Sequence, residues 1–79
     1  MKQKYIVTED EIIVVFPEIL LHSDFKHLKP ISAGFISFGI NQHGNPTCSC
    51  YGESISLRLK SREKDTILAK WQLGMQDEY

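Results

Sequence analysis

The two cysteines of the chain, Cys48 and Cys50, are the residues whose type and spacing first suggest chemistry. Thiolates can ligate a metal or act as nucleophiles. In an extended strand, however, side chains two residues apart point the same way with Cβ atoms roughly 6 to 7 Å apart, which is too far for a disulfide. A zinc site would need two further ligands, and no histidine has the spacing of a zinc motif. We therefore predict free thiols that face a core, with Cys48, Cys50 and His43 as weak metal candidates and no cofactor.

Patterns typical of enzymes are missing elsewhere in the sequence. The serine in the segment 51–56 lacks the flanking glycines of a nucleophile elbow, and no glycine-rich loop precedes a helix in the way that binds phosphate. Neighbouring carboxylates occur in Glu9-Asp10-Glu11, which is most simply a solvated turn. The sequence thus predicts a protein without catalytic activity.

A run of polar and basic residues follows the cysteines and is the strongest candidate for binding. Hydroxyls, guanidinium groups and the free N–H groups of a helix start are donors that can hold phosphate. Acidic residues interrupt the run, and a solvated sheet edge would carry the same cations to prevent aggregation. We call this run the basic strip, and its candidate residues for binding a partner or an anion are Ser54, Ser56, Arg58, Lys60, Arg62 and Lys64.

Length and composition indicate one small domain. With 79 residues, 42% hydrophobic and 24% charged, the chain can support one core and resembles an ordinary globular domain. The net charge of −1 provides no global attraction to nucleic acid or anionic lipid. No apolar run approaches the roughly 18 to 20 residues of a membrane helix, and no signal-peptide pattern is present, so we expect a cytoplasmic protein without a membrane partner.

The N-terminal segment reads as a hairpin of two strands, 4–8 and 12–16, joined by the polar loop 9–11. Thr8 and Glu11 also fit a helix capping box, but the four consecutive β-branched residues 12–15 disfavour a helix. Because that segment is apolar at both alternating phases, we expect a central strand that is covered on both faces or a strand twisted deep into the core.

The region 17–28 is predicted to be helical. Pro17 suits the first position of a helix, and Glu18 would favour the positive end of its dipole. Apolar residues then follow at roughly helical spacing up to Pro30, which cannot continue a helix. A break near His22-Ser23 would divide the region into two short helices, and the sequence leaves both alternatives open.

A second hairpin follows, with Ile36 and Phe38 in phase with the cysteines. The register that keeps one apolar face places Phe38 opposite Cys48 and Ile36 opposite Cys50, with a five-residue loop 41–45. After Gly52 the apolar phase shifts by one residue, which indicates a bulge, a sharp bend or a new strand over 54–60.

The last element is predicted to be an amphipathic helix. Ser61 is the expected N-cap, Gly74 the expected stop, and Ile67, Leu68 and Trp71 the buried stripe. The single domain is expected to span 1–74, with 75–79 as a frayed tail.

Together these elements predict an α+β fold of order ββαββ(β)α: an antiparallel meander with a short internal helix and a C-terminal helix on one face. We expect a protein-interaction or regulatory module whose partner is another protein or a second copy of the chain. The surface that binds this partner would be the edge Leu57-Arg58-Leu59 or the helix that carries Trp71. The alternative is binding of nucleic acid or a phosphate anion through the basic strip.

Overall fold

The computed structural model describes residues 2–75. In chain order the elements are β1 (Lys2–Thr8), β2 (Ile13–Phe16), a 3-10 helix (His22–Leu28), β3 (Pro30–Ile40), β4 (Pro46–Tyr51), β5 (Glu53–Ser54), β6 (Leu59–Lys60) and α1 (Glu63–Gln72). The predicted α+β class and antiparallel pairing are confirmed. No helix within the described residues is long and apolar enough to cross a membrane.

The main sheet has the strand order β2-β1-β3-β4, and β5 and β6 form a separate two-stranded sheet. The strand order therefore departs from a simple meander, because β3 pairs with the second edge of β1 rather than with β2. The connection between β2 and β3 is long enough to carry the chain past β1. The expectation that the second strand is central is wrong, since β2 lies at the edge of the sheet.

Apolar residues cover both faces of the sheet. One face carries Tyr5, Val7, Ile36 and Cys48, which pack against Ala69 of α1. The other carries Ile6, Phe16 and Ala33, which pack against the 3-10 helix and the β5–β6 hairpin; its further members are Val14, Phe25, Leu28, Leu57 and Leu59. The two helices thus lie on opposite faces and not on one. The reason is that the successive residues Tyr5, Ile6 and Val7 of β1 point to opposite faces and all three are buried, so each face needs a cover.

The region 17–28 contains a turn followed by a 3-10 helix, and the predicted helix from Pro17 does not form. The Leu20 amide donates to the Pro17 carbonyl at 3.1 Å, and Leu21 is then extended at φ −96°, ψ 145°. Asp24 starts the 3-10 helix by accepting a hydrogen bond from the Leu21 amide at 3.0 Å. The break that the sequence suggested near His22 is therefore where the only helical segment of this region begins.

The β3–β4 hairpin has the predicted register, with Phe38 opposite Cys48 and Ile36 opposite Cys50. Its loop spans 41–45, as expected. The Asn41 side chain closes the loop by accepting hydrogen bonds from the amides of His43 (2.9 Å) and Asn45 (3.1 Å). The positive φ of 79° at Gly44 completes the turn.

Of the alternatives that the sequence offered after Gly52, the sharp bend forms and a continuous strand over 54–60 does not, because the chain folds there into the short β5–β6 hairpin. Gly52 has a φ of 78°, and the Arg58 amide donates to the Ile55 carbonyl at 3.2 Å, which closes a turn between the two strands. The alternating pattern of the sequence is interrupted by this turn, so its odd and even residues do not occupy two faces of one strand.

The orientation of α1 also differs from the prediction. Its buried residues are Asp65 and Ala69; of the predicted stripe, Leu68 is half-buried against the core, whereas Ile67 and Trp71 are exposed. Its N-cap is Arg62 rather than Ser61. Met75, the first residue of the expected tail, packs against the core, and the remainder of that tail, 76–79, lies outside the described residues.

Candidate functional site

The structure does not gather the basic strip into one surface. Ser54 is buried, and its hydroxyl accepts a hydrogen bond from the Leu57 amide at 3.3 Å. Ser56 is exposed beside it, with 3.4 Å between the two hydroxyls. Arg58 lies in the β5–β6 turn with a left-handed φ of 55°, and Lys60 is exposed at the end of β6.

Arg62 and Lys64, the last members of the strip, contact acidic residues of the same chain. Two guanidinium nitrogens of Arg62 donate to the Glu11 carboxylate at 3.1 and 2.9 Å, and Nε donates to Asp65 at 2.9 Å. Lys64 Nζ lies 3.4 Å from Glu11. The hydrogen bond from Arg62 lowers the pKa of Glu11, and the same contact raises the pKa of Arg62. The guanidinium group is thus occupied within the fold.

Tyr5 and Asp65 extend this network into the core. Both side chains are fully buried, and the Tyr5 hydroxyl donates to Asp65 Oδ2 at 2.7 Å. The same carboxylate oxygen accepts the Arg62 amide at 3.0 Å and so caps α1. Burial, followed by the hydrogen bond to Asp65, raises the pKa of Tyr5. The phenol is neutral, and the Asp65 carboxylate already accepts three hydrogen bonds. This network is therefore suited to holding β1 and α1 together.

The thiols are free, as predicted. Burial raises the pKa of both, that of Cys50 to about 12, so both are protonated at neutral pH. His43 lies in the exposed loop 41–45. Within residues 2–75 no group of three or more His, Cys, Asp or Glu side chains is placed to hold a metal ion.

A groove beside α1 presents the large apolar side chains that the sequence assigned to the core. Trp71 is 78% exposed and Ile67 is 64% exposed. Together with Leu68 they line a groove of about 400 Å³ whose charged rim is Glu11 and Lys64. We call these five residues the α1 surface.

Polar contacts from the opposite side of α1 set its orientation. Thr66 accepts a hydrogen bond from the Cys50 amide at 2.9 Å, so it caps the edge of β4. Gln72 accepts from the Ile13 amide at 2.9 Å and donates to the Glu11 carbonyl, so it caps the edge of β2. With Ala69 packed against the sheet between these contacts, Ile67 and Trp71 must point outward.

Sequence reasoning missed this arrangement because it assigned the apolar residues to the buried stripe. A signal was present: Asp65, Ala69 and Gln72 fall on one helical face, at spacings of four and three. Asp65 and Gln72 are polar, so hydrophobicity did not mark that face as buried. This face of α1 is turned toward the sheet because the sheet edges need hydrogen-bond partners.

A second concave surface lies on the opposite face of the sheet, between the segment 17–22 and the β5–β6 hairpin. Buried His22 and the ring of Phe35 line it, and exposed Leu21 and Ile55 flank it. Lys4 contributes a cation and Glu53 a carboxylate, and the Lys4 ammonium donates to the Leu20 carbonyl at 2.8 Å. We call this the His22 cleft.

No protein-family model, curated protein or solved structure matches this chain.

Proposed function

We propose that the protein is a small interaction module without catalytic activity, and that the α1 surface is where a protein partner binds. The exposure of Trp71 beside an apolar groove is the observation that carries this proposal. Tryptophan is among the residue types that contribute most to binding energy at interfaces, and contiguous exposed apolar surface often marks a contact site.

The α1 surface is held in place before any partner binds. Thr66 and Gln72 fasten the helix to both sheet edges, and Arg62 fastens its start to Glu11. A partner would therefore not need to order the helix, which lowers the entropic cost of association.

The state of the two cysteines supports a proposal about the compartment in which the protein works. Two protonated, unpaired thiols fit a reducing compartment, and we propose the cytoplasm.

The first partner to test is a second copy of the chain. The groove and the protruding Trp71 occur together on one surface, so in a two-fold symmetric dimer the Trp71 of each copy could contact the groove of the other.

The experiment compares Trp71→Ala and Ile67→Ser with Ile19→Ser, a matched loss of an exposed aliphatic side chain in the segment 17–21. Self-association is measured by sedimentation over a concentration series. Trp71 is the only tryptophan, so its emission should shift to shorter wavelength as the groove is covered. We expect both α1 variants to weaken association at least about tenfold, as for a residue of high interface energy, and Ile19→Ser to leave it unchanged.

If the wild type is monomeric, the same three variants are used as baits for protein partners in cell extract. Partners that bind the wild type and Ile19→Ser but not Trp71→Ala support the proposal. Equal recovery by all baits, together with a monomeric wild type, would reject the α1 surface as the binding site.

The alternative function, anion binding through the basic strip, would rest on Arg58 and Lys60, since Arg62 is held by Glu11 and Asp65 and Lys64 lies 3.4 Å from Glu11. Salt-dependent retention on heparin that is lost in Arg58→Ala/Lys60→Ala would support it. Retention that does not depend on salt would remove it.

A further inference from the structure

The face of the main sheet opposite α1 is covered at one end only. The 3-10 helix and the β5–β6 hairpin pack there on Ile6, Phe16 and Ala33. Alternation along β1, β3 and β4 places further side chains on the same face, beyond this cover. We call these residues the open sheet face, and each is half-buried or exposed: Lys2, Phe35, Ser37, Thr47, Ser49 and Tyr51.

The strand registers bring these side chains together on three neighbouring strands. Phe35 lies directly opposite Tyr51. Ser37 lies opposite Lys2 on one side and opposite Ser49 on the other. Directly opposed residues on one face have Cβ atoms about 4.5 to 5.5 Å apart. The open sheet face is therefore one continuous surface.

Two aromatic rings lie side by side on this surface. The centres of the Phe35 and Tyr51 rings are 6.0 Å apart, and their planes are inclined by 30°. The Tyr51 side chain is 41% exposed, and Phe35 is held from the covered side by the edge-on His22 ring, whose centre is 5.9 Å away. A flat base can stack on such a pair, because stacking needs an accessible ring face and no particular hydrogen-bond partner.

Lys2 provides a positive charge beside the rings. Its Nζ lies 4.5 Å from the centre of the Phe35 ring, a distance at which a cation is attracted to an aromatic face. No carboxylate of the described residues forms a salt bridge with Lys2. Lys4 also lies opposite Phe35, but it shares the His22 cleft with the Glu53 carboxylate. We therefore assign the charge of the open sheet face to Lys2 alone.

Hydroxyl side chains occupy the rest of the open sheet face. Ser37 and Ser49 lie opposite each other, and Thr47 is on the same side of β4 as Ser49. Hydroxyls both donate and accept hydrogen bonds, and they contact phosphate and sugar oxygens in complexes with nucleic acid. None of the six residues carries a carboxylate that would repel a phosphate.

We propose that the open sheet face binds single-stranded nucleic acid. Unpaired bases stack on Tyr51 and Phe35, and Lys2 and the hydroxyls contact the sugar-phosphate backbone beside them. A single strand fits better than a duplex, because its bases can be splayed out onto the rings, whereas the bases of a duplex are already stacked and paired. This surface lies on the opposite face of the sheet from α1, so it is separate from the α1 surface.

Fluorescence anisotropy of end-labelled oligo(dT) and oligo(U) of about eight nucleotides tests the proposal on the full chain. We expect at least one of the two strands to bind, and to bind more tightly than a duplex of the same length. Because one lysine supplies the charge and two rings supply the stacking surface, the affinity should depend weakly on salt. The expected slope of log K against log salt concentration is about −0.7, the value for one phosphate contact on a single strand.

Exposed side chains provide variants that separate the two contributions. Tyr51→Leu keeps an apolar side chain but removes the ring, and should weaken binding at least about fivefold, as for one lost base stack. Tyr51→Phe keeps the ring and should bind as the wild type does. Lys2→Met keeps the apolar stem but removes the charge, and should abolish the salt dependence. Circular dichroism confirms that each variant is folded.

The matched controls lie on other surfaces. Trp71→Ala removes the exposed aromatic ring of the α1 surface, and Arg58→Ala/Lys60→Ala removes the free cations of the basic strip. Neither variant should change the affinity for a single strand. A preference for oligo(U) or for oligo(dT) would identify RNA or DNA as the ligand and would support the proposal.

Equal binding by Tyr51→Leu and the wild type would overturn the stacking role of the open sheet face. Loss of binding in Arg58→Ala/Lys60→Ala alone would overturn the proposal in favour of the basic strip. Tighter binding of the duplex, or no binding of either single strand, would also overturn it. None of these outcomes bears on the α1 surface, whose variants are tested by association with protein.

Discussion

His22 illustrates how a single polar side chain takes its properties from its surroundings. Its ring is packed edge-on between Phe16 and Phe35, with centroid distances of 5.5 and 5.9 Å. The hydrogen bond to the Gly34 carbonyl compensates part of the cost of burial but satisfies only one ring nitrogen. Burial lowers the pKa of His22 and thereby favours the neutral ring.

This environment predicts that stability depends on pH through His22. The folded pKa lies below the ordinary 6.5, so the unfolded chain binds the proton more readily. Stability should be complete above pH 6.5 and should fall as the pH decreases from 6.5 towards the lowered folded value. Urea unfolding at several pH values across this window measures the effect.

His22→Gln is the control for that measurement, because the amide can still donate to Gly34 and does not titrate. We expect the decline in stability between neutral and mildly acidic pH to be smaller in this variant. The other two histidines remain in both proteins, so an identical decline in wild type and variant would contradict the assignment to His22.

Among the elements, the β3–β4 hairpin shows how closely two backbones can approach. A Cβ on Gly34 would collide with the backbone carbonyl oxygen of Tyr51 and approach Gly52 to 3.3 Å. Gly39, in the same strand, has nothing within 4 Å of such an atom. The two glycines are therefore matched in type and element but differ in the space around them.

We predict that Gly34→Ala destabilises the protein by about 1 to 3 kcal/mol, since backbone must move to admit the methyl group. Gly39→Ala should change stability by no more than about 0.5 kcal/mol. Chemical denaturation of the two variants measures the difference. Equal stability of both would show that the β3–β4 contact can relax at no cost.

The register of this hairpin was predictable, whereas the orientation of α1 was not. Alternation along β3 and β4 leaves one pairing that keeps a single apolar face, and the structure confirms it. The helix pattern assigned Trp71 to the core because tryptophan is usually largely buried. The polar side chains of Thr66 and Gln72 instead face the sheet edges, and this contact depends on strands distant in sequence.

For the molecule as a whole, a polar network joins the sheet to its helical layer. Tyr5 of β1, Asp65 of α1 and Glu11 of the β1–β2 loop are connected through Arg62. Glu11 has a left-handed φ of 61°, a strained conformation for a residue other than glycine. Its contacts with Arg62 hold the β1–β2 loop beside the groove.

We predict that Asp65→Ala destabilises the protein by about 2 to 4 kcal/mol, because it leaves the buried Tyr5 hydroxyl without its acceptor and removes the partner of Arg62 Nε, while Arg62 keeps Glu11. Tyr5→Phe should cost about 1.5 to 3 kcal/mol, as for a hydrogen bond to a charged group. Urea unfolding of the single and double variants forms a cycle. Strictly additive effects would contradict a coupled network.

The local pattern of the sequence was sufficient for the α+β class, the two hairpin loops, the β3–β4 register and the free thiols, because strand alternation, turn residues and Cβ spacing act over a few residues. Tertiary structure decided the strand order, the placement of the helices on opposite faces, the burial of His22 and Asp65, and the exposure of Ile67 and Trp71. These features depend on which buried backbone and side-chain groups find hydrogen-bond partners far along the chain. The local periodicity of the sequence contains no information about those partners.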